Sequence, residues 1–232
     1  MAVTLTFYNH FFKYNVMTFK DKLPMIALGA WAWGNDGTFG NEHKIEDLKS
    51  IYDKAMKLGF NLWDTTYVYG MGTSEEVLGE FLRFPNREDY IISTKFTPQL
   101  SELFEANEVT YMYENSAKIL GVNDIDIFWI HNPVGAPEWT KKLVETAGGH
   151  DIKMIGVSNH NLAEIKEANG ILKEAGLKLG AVQNHYSLLN RSSEDSGILE
   201  YYMENDIIFF SYMVLEQGAL SGENDTAHPF QE

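Results

Sequence analysis

The chain repeats a single pattern: a short apolar run, a polar or glycine-bearing turn, then a longer amphipathic stretch. Seven apolar runs are visible, at residues 25–30, 60–65, 90–96, 125–131, 153–158, 180–184 and 207–212. They are nearly continuous rather than alternating, as strands buried on both faces must be. Between them the spacing predicts helices over 44–58, from Ser74 onward, and over 101–120, 138–147, 161–175 and 193–205. In the first of these, Ile45, Leu48, Ile51, Tyr52, Ala55 and Leu58 form one stripe opposite a charged face. Ser74 is expected to cap its helix, with Glu75 and Glu76 in the electropositive first turn. Gly59, Gly121 and Gly176 each follow a helix and precede a strand, where a helix C-terminus calls for positive φ.

Strict strand–helix alternation argues a parallel sheet covered by helices, either doubly wound or closed as a (β/α)₈ barrel. The polar residues discriminate between the two. Asp64, Lys95, His131, Ser158, Asn159, Gln183, Asn184 and Tyr212 sit at or just after the C-terminal ends of different strands. Polar groups from so many strand ends suggest one shared mouth at the C-terminal face of a barrel. A doubly wound sheet would usually carry a glycine-rich phosphate loop after its first strand, and neither GxGxxG nor GxxxxGK[ST] occurs. After Tyr212 come MVLEQGALSG and a polar tail, ENDTAHPFQE, so no eighth unit is visible. The expectation is an α/β chain with a TIM-type (β/α)₈ barrel over 23–232 that lacks its last βα unit, preceded by an extension over 1–22.

Composition narrows the function. With 44% hydrophobic and 13% aromatic residues, the 232-residue chain has ample material for a core. Its net charge of −15 and its lack of a basic cluster argue against nucleic-acid and membrane-surface partners. Absence of cysteine excludes a disulfide framework, a thiolate nucleophile and cysteine-ligated metal centres. No apolar run approaches the roughly 20 residues of a membrane span, and the opening residues lack the order of a secretory leader. A cytoplasmic location is expected. His160 and His185 flank the same mouth as His131, but without metal-ligand spacing they are expected to face solvent, and no metal site is assigned.

Asp64, Tyr69, Lys95 and His131 carry the chemistry. A lysine flanked by IIST and F lies beside buried strand, so its ammonium needs a carboxylate. Asp64, on the preceding strand end, supplies one. A tyrosine beside that lysine would have its phenolate form favoured, which brings a weak acid closer to the pH where it can exchange protons. His131, one strand further round, could hydrogen-bond the same substrate oxygen. Together they make a kit for protonating a carbonyl oxygen while a hydride arrives at carbon.

These residues stand in stretches that resemble the aldo-keto reductase family: LWDTTYVYG, STKF, WIHNP, GVSNHN, AVQNHYSLLNR and YMVLEQGALSG, in the family's order over about residues 23–222. The resemblance implies a carbonyl reductase using NADPH, with NADH not excluded. In that scheme Tyr69 is the general acid, Lys95 and Asp64 tune it, and His131 orients the carbonyl of a small-molecule substrate. It further implies that Ser158, Asn159 and Gln183 hold the nicotinamide carboxamide and that Tyr212 stacks on its ring. The backbone at Met213 and Leu215 would approach the pyrophosphate. Gly29, Ala30 and Trp31 lie at the first strand's mouth, where the family approaches cofactor and substrate, and Trp31 with Trp33 would form an aromatic wall or pack into the core. The sequence has Tyr212-Met213-Val214-Leu215 where the family usually has a proline two residues after the tyrosine. A redox-inert or regulatory barrel, like the potassium-channel β subunits that share this fold, or an inactive truncated product, is the alternative. A seven-stranded barrel would leave its first and last strands without a shared partner. Residues 3–12, the tail after Gly222 or a second chain are then expected to cover the gap, with a homo-oligomer or marginal stability and weak NADPH binding as the consequence.

Overall fold

The computed structural model describes residues 18–37, 43–103 and 106–222. Each apolar run yields a strand: β1 (Leu28–Gly29), β2 (Leu62–Asp64), β3 (Ile91–Phe96), β4 (Ile127–Ile130), β5 (Met154–Ser158), β6 (Leu179–His185) and β7 (Ile208–Tyr212). All pairings are parallel and follow chain order from β1 to β7. The helices are α1 (Ile45–Lys57), α2 (Thr73–Leu82), α3 (Glu108–Leu120), α4 (Ala136–Gly149), α5 (Leu162–Glu174), α6 (Ser192–Asp195) and α7 (Ile198–Glu204).

Three boundaries differ from expectation. The stretch 101–120 divides into a 3₁₀ turn, Pro98–Leu103, and α3, because Asn107 caps α3 by accepting the Thr110 amide at 3.0 Å. The stretch 193–205 breaks into α6 and α7 at Gly197, whose φ is 78°. Ser74 lies inside α2 instead of capping it. Its hydroxyl donates to the Ala30 carbonyl at 2.7 Å and lies 2.8 Å from Thr65 Oγ1, so a tertiary partner outcompetes the local cap. Gly59, Gly121 and Gly176 do take positive φ at helix ends.

Side chains alternate across the sheet, and this period of two builds the molecule's two cores. The outward set, with Trp63, Ile92, Phe128, Ile155 and Val182, packs under the helices. The inward set contains Leu62, Ile91, Ile127, Trp129, Met154 and Ala181, joined by Ile208 and Phe210 and closed by Phe19 and Leu23. The sheet is curled: Trp129 of β4 meets Phe210 of β7 with ring centroids 5.3 Å apart. Gly156 makes room for the Trp129 indole, since a Cβ there would lie 2.1 Å from a ring carbon.

Among the described residues β1 pairs only with β2 and β7 only with β6. While β3, β4 and β5 are buried throughout, β7 is half-buried or exposed along its length. The segments expected to cover this gap, 3–12 and the tail after Gly222, lie outside the described residues.

Candidate active site

Continuing the inward alternation to the C-terminal strand ends brings Gly29, Asp64, Lys95, His131, Ser158, Gln183 and Tyr212 to one end of the curl. All but Lys95 line a single cavity of about 620 Å³, together with Trp31, Asp36, Val68, Tyr69, Asn159 and Met213. A groove of similar volume, about 660 Å³, runs between α1 and α2 on the outside and takes no group from the strand ends.

Lys95 is 1% exposed and donates to Asp64 Oδ2 at 2.6 Å and to the Thr65 carbonyl at 2.9 Å. Burial works against its charge, but Asp64, Tyr69 and Glu75 outweigh burial and hold the ammonium above its ordinary value. Asp64 is oriented from its other side. Trp129 Nε1 donates to Ser93 Oγ at 2.7 Å, and Ser93 Oγ donates to Asp64 Oδ1 at 2.5 Å.

Tyr69 comes to the mouth from a backward-bent turn in which Gly70, Met71 and Gly72 all have positive φ. Only glycine fits at position 70, where a Cβ would lie 2.1 Å from Thr73 Oγ1 and 2.7 Å from the Asn35 nitrogen. The Tyr69 ring lies 5.6 Å from Lys95 Nζ and 6.2 Å from the His131 ring. Burial pushes the Tyr69 phenol up, more than Lys95 pulls it down, so the expected net bias toward phenolate is reversed in this arrangement. Burial, reinforced by Lys95, brings His131 down to about 4, which leaves it neutral at physiological pH. Its Nδ1 lies 2.9 Å from Thr97 Oγ1.

On the opposite wall, Asn159 takes φ of 62° and donates to the His131 carbonyl at 2.9 Å. Tyr212 donates its hydroxyl to Asn159 Oδ1 at 2.6 Å. Gln183 makes two side-chain contacts, to Ser158 Oγ and Asp64 Oδ2, each 3.5 Å and so at the limit of a hydrogen bond. Met213 turns the chain back with φ of 52°. Leu215 is exposed on the following loop and Ala30 is fully buried, so neither side chain lines the cavity. The tryptophan pair divides: Trp31 faces the mouth and stacks on Tyr69, and Trp33 packs against Trp63 and Phe81.

Neither additional histidine faces solvent as expected. His160 is 1% exposed, with Nδ1 2.6 Å from the Ser158 carbonyl. His185 is half-buried and backs Tyr212, the rings 5.5 Å apart and 21° from parallel, while its nitrogens meet Glu216 Oε1 at 2.8 Å and Asn190 at 2.9 Å. Sequence reading also passed over Ser93, Thr97 and Trp129. Ser93 and Trp129 sit on the inward positions of β3 and β4 that precede Lys95 and His131, and that period was the signal that could have found them.

The model of the aldo/keto reductase family matches residues 25–232. The aldo-keto reductase YhdN of Bacillus subtilis is 29% identical over 217 residues, covering 89% of this chain and 62% of that protein. The aldo-keto reductase yakc [NADP(+)] of Schizosaccharomyces pombe is 28% identical, covering 92% of this chain and 64% of that protein. The L-glyceraldehyde 3-phosphate reductase of Escherichia coli is 27% identical, covering 87% and 61%. The chain thus spans a little over three fifths of the length of these relatives. A thermostable aldo-keto reductase in complex with epalrestat superposes with a TM-score of 0.75 at 26% identity, covering 87% of this chain and 72% of that one. The glycerol dehydrogenase of Gluconobacter oxydans gives 0.72 at 26% identity, covering 89% and 64%. Among the described residues, no helix is long and apolar enough to cross a membrane. With the match running through the strand ends that build the mouth, the chain belongs to the aldo/keto reductase family.

Proposed function

We propose that this chain carries the catalytic mouth of an NADPH-dependent reductase that converts an aldehyde or ketone to an alcohol, with Tyr69 as the proton donor. The observation that carries this reading is one cavity bordered by a tyrosine, a histidine and the carboxylate of a buried lysine–aspartate pair, and walled opposite by carboxamides. The name of the Schizosaccharomyces pombe relative, which includes NADP(+), supports the cofactor.

The wall fits a nicotinamide. Gln183 and Ser158 meet only at the limit of hydrogen bonding, which leaves donors and acceptors available for an amide. Asn159 Nδ2 already reaches Ser158 Oγ at 3.2 Å, its Oδ1 becomes an acceptor for the amide once Tyr212 releases it, and the Tyr212 ring offers a flat face. When bound, the reduced nicotinamide supplies the hydride. The chain's own residues manage the proton. His131 is neutral, and in the tautomer in which it accepts the Thr97 hydroxyl at Nδ1 its hydrogen lies on Nε2, from which it donates to the substrate oxygen and fixes the carbonyl. Tyr69 then gives its phenolic proton to that oxygen. Lys95, beneath the ring, stabilises the phenolate left behind, and Asp64 keeps the lysine charged and in place. Trp31 over Tyr69 limits water at the transfer.

Tyr69→Phe tests the reading because it keeps the ring and removes the proton. With NADPH and an aromatic aldehyde such as 4-nitrobenzaldehyde, turnover should fall by about 10²–10⁴, while NADPH affinity measured by fluorescence stays unchanged. Turnover equal to the parent's would overturn the assignment.

A further inference from the structure

One ionisable group near the mouth has no part in the chemistry above. Glu75, in the first turn of α2, is fully buried between the sheet and the helices. Its Oε1 accepts the Thr94 hydroxyl at 2.6 Å, and Thr94 is the outward neighbour of Lys95 on β3. Among the described residues Oε2 and the buried hydroxyl of Ser116 on the facing helix α3 complete no hydrogen bond of normal geometry, although Ser116 lies near enough to favour the charged carboxyl. No lysine or arginine among the described residues pairs with this carboxyl. A glutamine would fill the same space and accept the same Thr94 bond without the cost of burying a potential charge. The position therefore carries an ionisable group where an uncharged one would serve packing equally well.

The charge has one partner in reach. Packed against α2 are α3, α1 and the 3₁₀ turns Trp31–Trp33 and Tyr69–Gly72. The groups that act on the Glu75 carboxyl are Ser116 of α3 and Thr94 and Lys95 of β3, and Lys95 is the charged one of these. The coupling runs both ways, since Glu75 helps hold Lys95 protonated. Lys95 in turn lowers the Tyr69 phenol while Asp64 raises it. From this geometry we propose that Glu75 is a positioning residue of the proton relay: held on Thr94 behind the sheet, its carboxyl adjusts through Lys95 how readily Tyr69 gives up its proton. The inference rests on Tyr69 being the donor.

Two states follow. When Glu75 is neutral, Asp64 and Lys95 balance and the relay carries no net charge. When it ionises, one negative charge is added behind Lys95, the Lys95 field at Tyr69 is partly cancelled, and the phenol holds its proton more tightly. Burial pushes Glu75 up to about 7, against the helix start and the hydroxyls that favour its charge, so the change falls within the working range.

The test is the pH profile of carbonyl reduction in Glu75→Gln. In the parent, kcat/KM should fall by a few-fold, up to about tenfold, as pH rises through neutrality, the scale of one pKa unit in proton transfer. In the variant this inflection should disappear, with kcat/KM held near the parent's low-pH level. Thr94→Val, which keeps the carboxyl but removes a donor to its charged form, should move the inflection to higher pH. Infrared titration of protein labelled with ¹³C-glutamate reads the same group without turnover: a protonated buried carboxyl should be lost near neutrality in the parent. In Thr94→Val that loss should come at higher pH, which decides the matter should the glutamine variant fail to fold. An unchanged profile in Glu75→Gln, or no buried carboxyl titrating near neutrality, would overturn the proposal. Full activity in Tyr69→Phe would instead overturn the reading beneath it.

Discussion

Trp31 lies against Tyr69 with ring centroids 5.4 Å apart and planes 16° from parallel. The indole, itself 38% exposed, is the lid that keeps the phenol ring from solvent at the mouth. Because burial is the main reason the Tyr69 phenol is raised, Trp31→Ala should bring it down toward its ordinary value. Tyrosinate absorbance followed against pH, with the Trp31→Ala/Tyr69→Phe double variant as reference, isolates this one ring. A Tyr69 titration unchanged by the loss of Trp31 would place the source of burial elsewhere.

The Lys95–Asp64 pair should be unequal in its dependence. Lys95 is 1% exposed, and without Asp64 it keeps only the Thr65 carbonyl as acceptor. Asp64, 14% exposed, keeps Ser93 when the lysine is lost. Asp64→Ala should therefore approach the ~3–5 kcal/mol typical of breaking a buried pair, and Lys95→Met should cost less. The double change should cost less than the sum. Denaturant unfolding of the four proteins checks the order and the coupling, and strict additivity would contradict the contact.

Gly156→Ala should act at a distance. The added methyl meets the Trp129 ring, which is fully buried and tied to Asp64 through Ser93. Overpacking of this kind costs about 1–3 kcal/mol, and displacing the indole takes away the donor that orients Ser93, loosening one of the two holds on Asp64 while Lys95 keeps the other. Loss of stability together with reduced turnover is expected. Trp129→Phe in the same chain should recover part of the stability, since it removes the ring carbons that clash.

His131 and Glu75 should tilt the pH dependence of stability in opposite directions. The folded-state value of His131, about 4, lies below its ordinary 6.5. Between these the unfolded chain binds more protons, so stability is lost as pH falls from 6.5 toward 4. The folded-state value of Glu75, about 7, lies above its ordinary 4.5. Its contribution is complete below 4.5 and is lost as pH rises through 7. Each slope approaches roughly 1.4 kcal/mol per pH unit for one proton, and they oppose one another between pH 4.5 and 6.5. Relative to the parent, Glu75→Gln should lose stability on acidification across that window and His131→Gln should gain it. Parallel denaturation curves for both variants across the window would rule out the two shifts.

The order of the strands and the residues at their ends were legible in the sequence because a parallel strand announces itself locally. Its apolar run fixes where it lies, and the two-residue alternation then determines that Lys95 shares a face with Ser93 and Ile91, and Ser158 with Gly156 and Met154. The pairing of Lys95 with Asp64 was legible for a related reason, since a buried ammonium must find a carboxylate and the neighbouring strand end offered one. Tertiary structure decided what depends on two elements meeting. Ser74 could cap its own helix by every local rule, yet it bonds Ala30, because the curl of the sheet brings that carbonyl within 2.7 Å. His160 and His185 differ little in sequence context, but one is enclosed beneath the β5 strand end and the other is wedged behind Tyr212 by Glu216 from a loop 31 residues away. Tyr69 shows the division most plainly. Sequence placed it beside a lysine, which lowers a phenol, whereas the enclosure formed by Trp31 and the surrounding strand ends, which raises it by more, exists only once the chain has folded.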